Sequence, residues 1–177
     1  MKKIALLTIV LPLFWQQGNA QSPGATDYQK VTVTKDEIED FIRFLVKDGK
    51  LLTSQYLSQD IIKDGPEDLI RVLENRTKRK THMDSVLFEG LTKDGPAISR
   101  MYESLASIKI DNKKMGFVSK KNDSYTSVSL PYFTPSKDMV LIKITETCPG
   151  LCGSGQIILY EKDHETWRIR KITEWLI

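Results

Sequence analysis

The chain has 177 residues, of which 26 are basic and 23 acidic, and it contains two cysteines and two histidines. Because the charges nearly balance, the net charge gives the protein no general attraction to nucleic acid or to an anionic membrane. The few cysteines and histidines also provide little material for a metal site, which needs several ligands.

The N-terminus has the three parts of a secretory signal peptide. Two positive charges, Lys2 and Lys3, precede an apolar run of 11 residues, Ile4–Phe14, and small residues follow at Gly18 and Ala20. A membrane-spanning helix needs about 20 apolar residues, so this run is too short for a stable anchor. We therefore predict a signal peptide over residues 1–20 that is cleaved after Ala20.

Cleavage would leave 157 of the 177 residues, a size typical of one domain with its own core. Two basic residues would be lost with the signal, which leaves 24 basic against 23 acidic side chains. Residues 21–27 are mostly small or polar, with almost nothing to bury, and indicate a disordered tether. We expect a single domain over residues 28–177, exported to the periplasm or to the extracellular space.

Helical periodicity dominates the first half of the chain. Thr34 and Glu37 form a capping-box pattern, in which each side chain can bond the backbone N–H of the other residue. Apolar residues then recur at i, i+3, i+4, i+7 and i+8, and these are Ile38, Phe41, Ile42, Leu45 and Val46. The pattern predicts a helix that ends at Asp48-Gly49.

Two further helices are predicted to begin at prolines that follow an Asp-Gly pair. One runs from Pro66 to about Asn75, and the other from Pro96 to Ala106. The buried residues predicted in the first of these are Leu69, Ile70, Val72 and Leu73. The tripeptide Lys-Asp-Gly occurs at 47–49, 63–65 and 93–95 with irregular spacing, which we interpret as turn chemistry at helix boundaries rather than a repeat.

The second half of the chain changes to the alternating pattern of β-strands. The predicted strands are Ser107–Ile110, Met115–Val118, Tyr125–Leu130, Met139–Glu146, Gln156–Glu161 and Thr166–Ile172. In the fourth of these strands, the even-numbered residues from Val140 to Ile144 should face the helices. The odd-numbered residues, which include Leu141, should lie on the opposite side.

Helices followed by meandering strands predict an α+β fold, in which N-terminal helices cover one face of a C-terminal antiparallel sheet. Cystatin-like and NTF2-like proteins have this layout, although likeness at the level of the fold implies no function. In the last predicted strand, Trp167 and Ile169 should point inward. The alternation then slips at Lys171, which predicts a β-bulge or a strand end there.

The only two cysteines, Cys148 and Cys152, lie in a turn between two predicted strands. Cysteines this close in an exported protein are expected to form a disulfide. If the flanking strands pair, opposite Cα atoms lie about 4.5–5.5 Å apart, a separation that a disulfide accepts. Gly150 lies in the turn itself, while Gly153 and Gly155 indicate backbone conformations or close approaches that a side chain would block.

Other chemistries find less support in the sequence. A redox-active thiol needs a helix N-terminus or a nearby cation, whereas a strand-like run follows Cys152. A metal site would need ligands beyond the two thiols, and His82 and His164 stand alone. A hydrolase centred on Ser154 lacks the flanking glycines of a nucleophile elbow, but a histidine partner for some other serine stays open.

About the last 50 residues combine the segment Ser129–Thr134, an apolar strand, a Cys-x-x-x-Cys-Gly-x-Gly turn and the segment Thr166–Ile169. This combination resembles a C-terminal pattern of small uncharacterised exported proteins of Bacteroidetes-type bacteria. Members often have Cys-Gly at the first cysteine, whereas this chain has Cys148-Pro149. The resemblance implies a bacterial exported protein. It implies no activity, because none is assigned to the family.

We therefore expect an exported module that binds an unknown protein or small-molecule ligand and that is not an enzyme. The sequence predicts no catalytic residue, no cofactor, no metal ligand, no nucleic-acid partner and no stable membrane anchor. The alternatives are a thiol-based redox or metal-handling protein that uses Cys148 and Cys152, and an unrecognised hydrolase.

Overall fold

The computed structural model describes residues 32–59, 61–77, 82–102, 109–121, 123–150 and 152–176. The predicted signal peptide and tether lie outside these ranges. The helices are α1 (Lys35–Lys47), α2 (Pro66–Thr77) and α3 (His82–Met101). The strands are β1 (Tyr56–Leu57), β2 (Tyr125–Val128), β3 (Tyr132–Phe133), β4 (Met139–Thr147), β5 (Gly153–Asp163) and β6 (Thr166–Leu176). The predicted α+β class, with the sheet in the C-terminal part, is confirmed.

Helix α1 begins and ends as its sequence predicts. The Glu37 N–H donates to Thr34 Oγ1 at 3.2 Å, and the Thr34 N–H donates to Glu37 Oε2 at 2.8 Å, so the capping box is complete. The C-cap is Asp48, and Gly49 follows with a φ of 73°, in the left-handed region that glycine adopts without strain. The buried stripe of the helix consists of Ile38, Phe41, Ile42 and Leu45.

The sheet has the order β1-β2-β4-β5-β6, and β3 also pairs with β4. All neighbours are antiparallel except β1 and β2, which are parallel. Strands β2 and β3 lie along the same edge of β4, where Val128 opposes Ile144 and Tyr132 opposes Leu141. Three residues lie between Val128 and Tyr132, whereas only two lie between Leu141 and Ile144 on β4. The extra residue makes this segment a β-bulge, and the segment contains Pro131.

Helices cover both faces of the sheet, so the prediction of one covered face is wrong. On one face the ring of Phe41 in α1 lies 5.8 Å from Phe133 and 5.5 Å from Tyr160. On the other face Tyr102, directly after α3, lies 5.1 Å from Tyr132. Consecutive residues of β4 are therefore buried, and Leu141 is as buried as its neighbours. Strands covered on both sides lose the alternation that the prediction assumed.

Helix α3 begins well before the predicted start at Pro96 and contains that proline in its interior. Buried residues recur along one face at positions 88, 91, 95 and 98, a helical spacing that continues through the Asp-Gly-Pro segment. A Cβ built on Gly95 would lie 3.0 Å from Glu67 Cγ in α2, so this glycine allows the two helices to approach closely. Packing thus overrides the turn chemistry of Asp94-Gly95-Pro96. The predicted end at Ala106 lies outside the described residues.

The predicted strand Met115–Val118 is a loop. The Asp111 side chain accepts from the Lys113 N–H at 3.1 Å and from the next N–H at 3.2 Å, which folds the segment into a turn. The Asn112 side chain donates to the Leu57 carbonyl at 2.7 Å and ties this loop to strand β1. Of the predicted strand at 107–110, residues 109 and 110 are irregular and the rest lies outside the described ranges.

Strand β6 contains the predicted bulge. Lys171 opposes Leu159 and Ile169 opposes Tyr160, which leaves residue 170 without an opposite partner. Trp167 packs against Phe41 with ring centroids 5.5 Å apart, so its predicted inward orientation is confirmed. Ile169 opposes the buried Tyr160 and so lies on the same face as Trp167, as predicted, but it remains 42% exposed.

The two glycines of α3 give a test of its length. Gly90 is exposed in the helix interior with open space around a built Cβ, so Gly90→Ala should stabilise the protein by about 0.5–1 kcal/mol. Gly95→Ala should gain less, because the Glu67 side chain would have to move. Urea denaturation of both variants measures the difference. A loss of stability in Gly90→Ala would contradict a helix at this position.

Candidate functional site

The cysteine turn closes the hairpin between β4 and β5. Cys148 directly follows β4, Cys152 directly precedes β5, and the two form a disulfide with Cα atoms 5.5 Å apart. Gly150 has a φ of 84°, a conformation that favours glycine at this turn position. Gly153 is the first residue of β5 and opposes Thr147. The predicted disulfide is confirmed.

Among the described residues, the cysteine turn is joined neither by a helix N-terminus nor by a set of metal-binding side chains. A strand rather than a helix N-terminus follows Cys152, so the feature that activates a thiolate in thioredoxin-like sites is missing there. His164 lies at the opposite end of β5, in the turn to β6, and its side chain is 95% exposed. His82 is the first residue of α3. Within the described ranges, no group of three His, Cys, Asp or Glu side chains could hold a metal ion.

A groove of about 520 Å³ lies between α2 and the sheet. It is on the face that carries Leu141 and Lys143, opposite to the face that α1 covers. Its lining comes from the loop before α2, from α2 itself and from strands β4, β5 and β6. The lining residues are Asp64, Asp68, Leu69, Arg71, Val72, Lys143, Ile157 and Trp175.

The apolar part of the groove is formed by α2 on one side and by strands β5 and β6 on the other. Leu69 and Val72 are three residues apart on α2 and turn the same side of that helix towards the groove, and Ile157 lies on β5. Leu69 and Ile157 are buried, whereas Val72 and Trp175 are half-buried and so remain accessible. Val72 and the ring of Trp175 are therefore the apolar side chains that a ligand in the groove can reach.

Gly155 makes room for the Trp175 ring. The two residues are opposite each other on β5 and β6, and a Cβ built on Gly155 would overlap three ring atoms of Trp175. Only glycine therefore lets this ring lie directly over the sheet. The close approach that the sequence indicated at Gly155 is confirmed, and its partner is a residue of the groove.

The polar part of the groove consists of two ion pairs. Lys143 Nζ lies 2.5 Å from Asp64 Oδ2, with the two side chains 21% and 42% exposed. Arg71 Nη2 lies 2.7 Å from Asp68 Oδ1, and both of these side chains are exposed. Lys143 Nζ is also 5.6 Å from the centre of the Trp175 ring, a cation–π distance. The four charges sum to zero.

The backbone around the bulge fixes the positions of Lys143 and Asp64. The Ser129 N–H donates to the Lys143 carbonyl at 2.9 Å, and the Lys143 N–H donates to Ser129 Oγ at 3.0 Å. The Tyr132 hydroxyl donates to the Asp64 carbonyl at 2.9 Å. Burial, with the charges of Asp64 and Asp68, raises the pKa of Tyr132 to about 12. The hydroxyl therefore stays protonated and keeps this bond at any physiological pH.

Sequence reasoning missed the groove. Lys143 was placed only as a strand residue, Trp175 lay beyond the predicted end of the last strand, and Asp64 belonged to a tripeptide interpreted as a turn. The available signal was a lysine inside an apolar run, since a charge on a buried strand needs a partner. The sequence alone could not identify Asp64 as that partner, because the two residues are 79 positions apart.

Comparison of the chain with protein-family models, with curated proteins and with solved structures finds no match. Over the residues that the structure describes, no helix is long and apolar enough to cross a membrane. The function is therefore inferred from the chemistry of the groove.

The contact between Gly155 and Trp175 predicts that the effect of Gly155→Ala on the free energy of unfolding depends on the residue at position 175. Gly155→Ala should lower the free energy of unfolding by about 1–3 kcal/mol, because the new methyl group displaces the ring. In a Trp175→Ala background the same change should be neutral or stabilising by up to about 1 kcal/mol, since alanine restricts the unfolded chain more than glycine. Urea denaturation of the four proteins measures both effects. Equal losses in the two backgrounds would contradict the contact.

The disulfide is predicted to stabilise the turn rather than to react. It closes a loop of about five residues, so removing it with Cys148→Ser and Cys152→Ser should cost about 2 kcal/mol. Urea denaturation with and without reductant checks the cost. After reduction, both thiols should react with iodoacetamide slowly at pH 6. A thiol that reacts rapidly at that pH would contradict the structural role and support the redox alternative.

Proposed function

We propose that the protein is an exported, non-enzymatic binding module whose ligand occupies the groove between α2 and the sheet. The observation that carries this proposal is the composition of the groove. Its volume of about 520 Å³ falls within the range of small-ligand sites, and its lining combines apolar surface with a few converging polar groups. A ligand would bury the accessible side of Trp175 and meet Lys143 and Asp64 at the same time.

Binding fits this lining better than catalysis does. Each carboxylate is already engaged with a cation, Asp64 with Lys143 and Asp68 with Arg71. The described lining contains no serine, cysteine or histidine that could act as a nucleophile or a general base. The cysteine turn lies outside the lining, so it contributes shape rather than chemistry.

Export is proposed from the disulfide together with the N-terminal sequence. Structural disulfides persist in oxidising compartments such as the periplasm and the extracellular space. The signal-peptide pattern over residues 1–20 supports the same destination. The origin in a Bacteroidetes-type bacterium, implied by the resemblance of the C-terminal residues, stays a prediction.

A pair of matched variants tests the groove as the binding site. Val72→Trp should fill the groove, whereas Val86→Trp places the same side chain on the exposed surface of α3, where Val86 is 60% exposed. Fragments from a polar and aromatic library are added to the isotope-labelled protein, and amide and indole signals are followed by NMR. We expect the fragments to shift signals of Lys143 and Trp175, to lose that effect in Val72→Trp and to retain it in Val86→Trp.

Two results would contradict the proposal. In the first, fragments bind only at other surfaces, so that the signals of the groove residues do not move. In the second, Val72→Trp folds normally and binds the same fragments as well as Val86→Trp does. Either result would remove the groove as the functional site.

A further inference from the structure

The charges of the groove select against a charged ligand. Lys143 and Asp64 already satisfy each other at 2.5 Å, as do Arg71 and Asp68 at 2.7 Å. A ligand carboxylate would have to compete with Asp64 for Lys143, and a ligand amine would have to compete with Lys143 for Asp64. Because the four charges sum to zero, the groove also has no net charge that would attract an ion of either sign.

The same ion pairs retain capacity for a neutral polar ligand. An ammonium group has three N–H donors and a carboxylate has about four acceptor positions, so one contact between Lys143 and Asp64 leaves donors and acceptors for a ligand. A hydroxyl group both donates and accepts, so it can bond to both residues without separating them. Two neighbouring hydroxyls on a ligand would match this arrangement, and the bonds would be charge-assisted.

The Trp175 ring provides the apolar counterpart. The ring is half-buried, and the Lys143 ammonium lies over it at 5.6 Å from the ring centre, so a ligand on the ring also meets this ammonium. A ligand that meets both must present a flat apolar face next to polar edges. A pyranose ring has this character, since its C–H groups form one face while its hydroxyls point outward at the edge. Tryptophan suits such a contact because the ring is large and rigid.

A row of small uncharged residues continues from Trp175 across the same face of the sheet. Ser127 opposes Thr145, Thr145 opposes Gly155, and Gly155 opposes Trp175, so the four lie side by side on adjacent strands. Ser127 and Thr145 are half-buried and are not covered completely by a helix. The next row ends at Tyr125, a second aromatic ring, which opposes Thr147. Hydroxyl groups and one further aromatic ring, which has the Lys121 ammonium 4.2 Å from its centre, thus extend beyond the groove itself.

We propose that this face binds a neutral oligosaccharide, with one pyranose ring on Trp175 and its hydroxyls bonded to Lys143 and Asp64. Further sugar units lie over Thr145 and Ser127, beyond the strand position that the Trp175 ring covers. This inference rests on the proposed function, because it names the chemical class of the ligand that the groove takes. Neutrality of the ligand and an extended chain of rings are its two specific claims.

The test uses neutral hexasaccharides, namely xylohexaose, cellohexaose, mannohexaose and chitohexaose. The comparison ligands are hexagalacturonate, which is anionic, the dipeptide Gly-Phe, which is zwitterionic, and the monosaccharide of each neutral chain. The indole N–H signal of Trp175, assigned from Trp175→Phe, is followed by NMR in the full-length protein. We expect at least one neutral hexasaccharide to shift this signal, with a Kd that changes less than about twofold between 20 and 500 mM NaCl. Its monosaccharide should bind at least about tenfold more weakly.

Variants locate the binding. Trp175→Ala should weaken the hexasaccharide at least about tenfold, whereas Trp167→Phe, on the opposite face of the sheet, should leave the Kd unchanged. If Trp175→Ala does not fold, Lys143→Met serves instead, because it removes the ammonium donors and keeps the apolar stem. The affinity should again fall. An unchanged Kd in the folded variants would overturn the inference.

The remaining outcomes separate the two proposals. If the dipeptide or hexagalacturonate shifts the Trp175 signal and no neutral hexasaccharide does, the oligosaccharide inference fails and the groove remains a binding site. If the monosaccharide binds as tightly as its hexasaccharide, the extended row takes no part and the free sugar is the ligand. If neither sugars nor library fragments shift any groove signal, both proposals fail.

Discussion

The burial of the β4–β5 hairpin on both faces is the constraint on which the rest of the structure depends. Val140, Leu141 and Ile142 are consecutive and buried, and so are the four residues 157–160 of β5. Backbone groups there are satisfied by nine paired positions between the two strands, while their side chains need cover above and below the sheet. One helix therefore lies on the first face, and the pair α2 and α3 is needed on the second.

The groove lies where α2 no longer covers the second face of the sheet. Helix α2 buries Leu69 against the sheet, but the polar side chain of Lys143 lies between apolar neighbours on β4 and needs a partner for its charge. Asp64 supplies that partner from the loop before α2. Trp175 lies over Gly155 and forms the far side, so an ion pair and an aromatic ring border the space that α2 leaves open.

The sequence predicted local features well and long-range ones poorly. The cap at Thr34 and the disulfide between Cys148 and Cys152 depend on residues a few positions apart, so spacing alone identified them. The strand assigned to Met115–Val118 failed because loop residues can also bury alternate side chains against a core. The position of Pro96 inside a helix and the pairing of Lys143 with Asp64 depend on tertiary packing. The conformational preferences of single residues cannot predict such packing.

Native-state hydrogen exchange tests the central claim, two-sided burial of the β4–β5 hairpin, most directly. If both faces are covered, the amides of Val140–Ile144 and Ile157–Tyr160 should exchange only through global unfolding. Their free energy of opening should then equal the free energy of unfolding from urea denaturation. Exchange of these amides at a clearly lower free energy than those of Phe41 and Leu45 in α1 would contradict the claim, because the hairpin would then open while α1 stays folded.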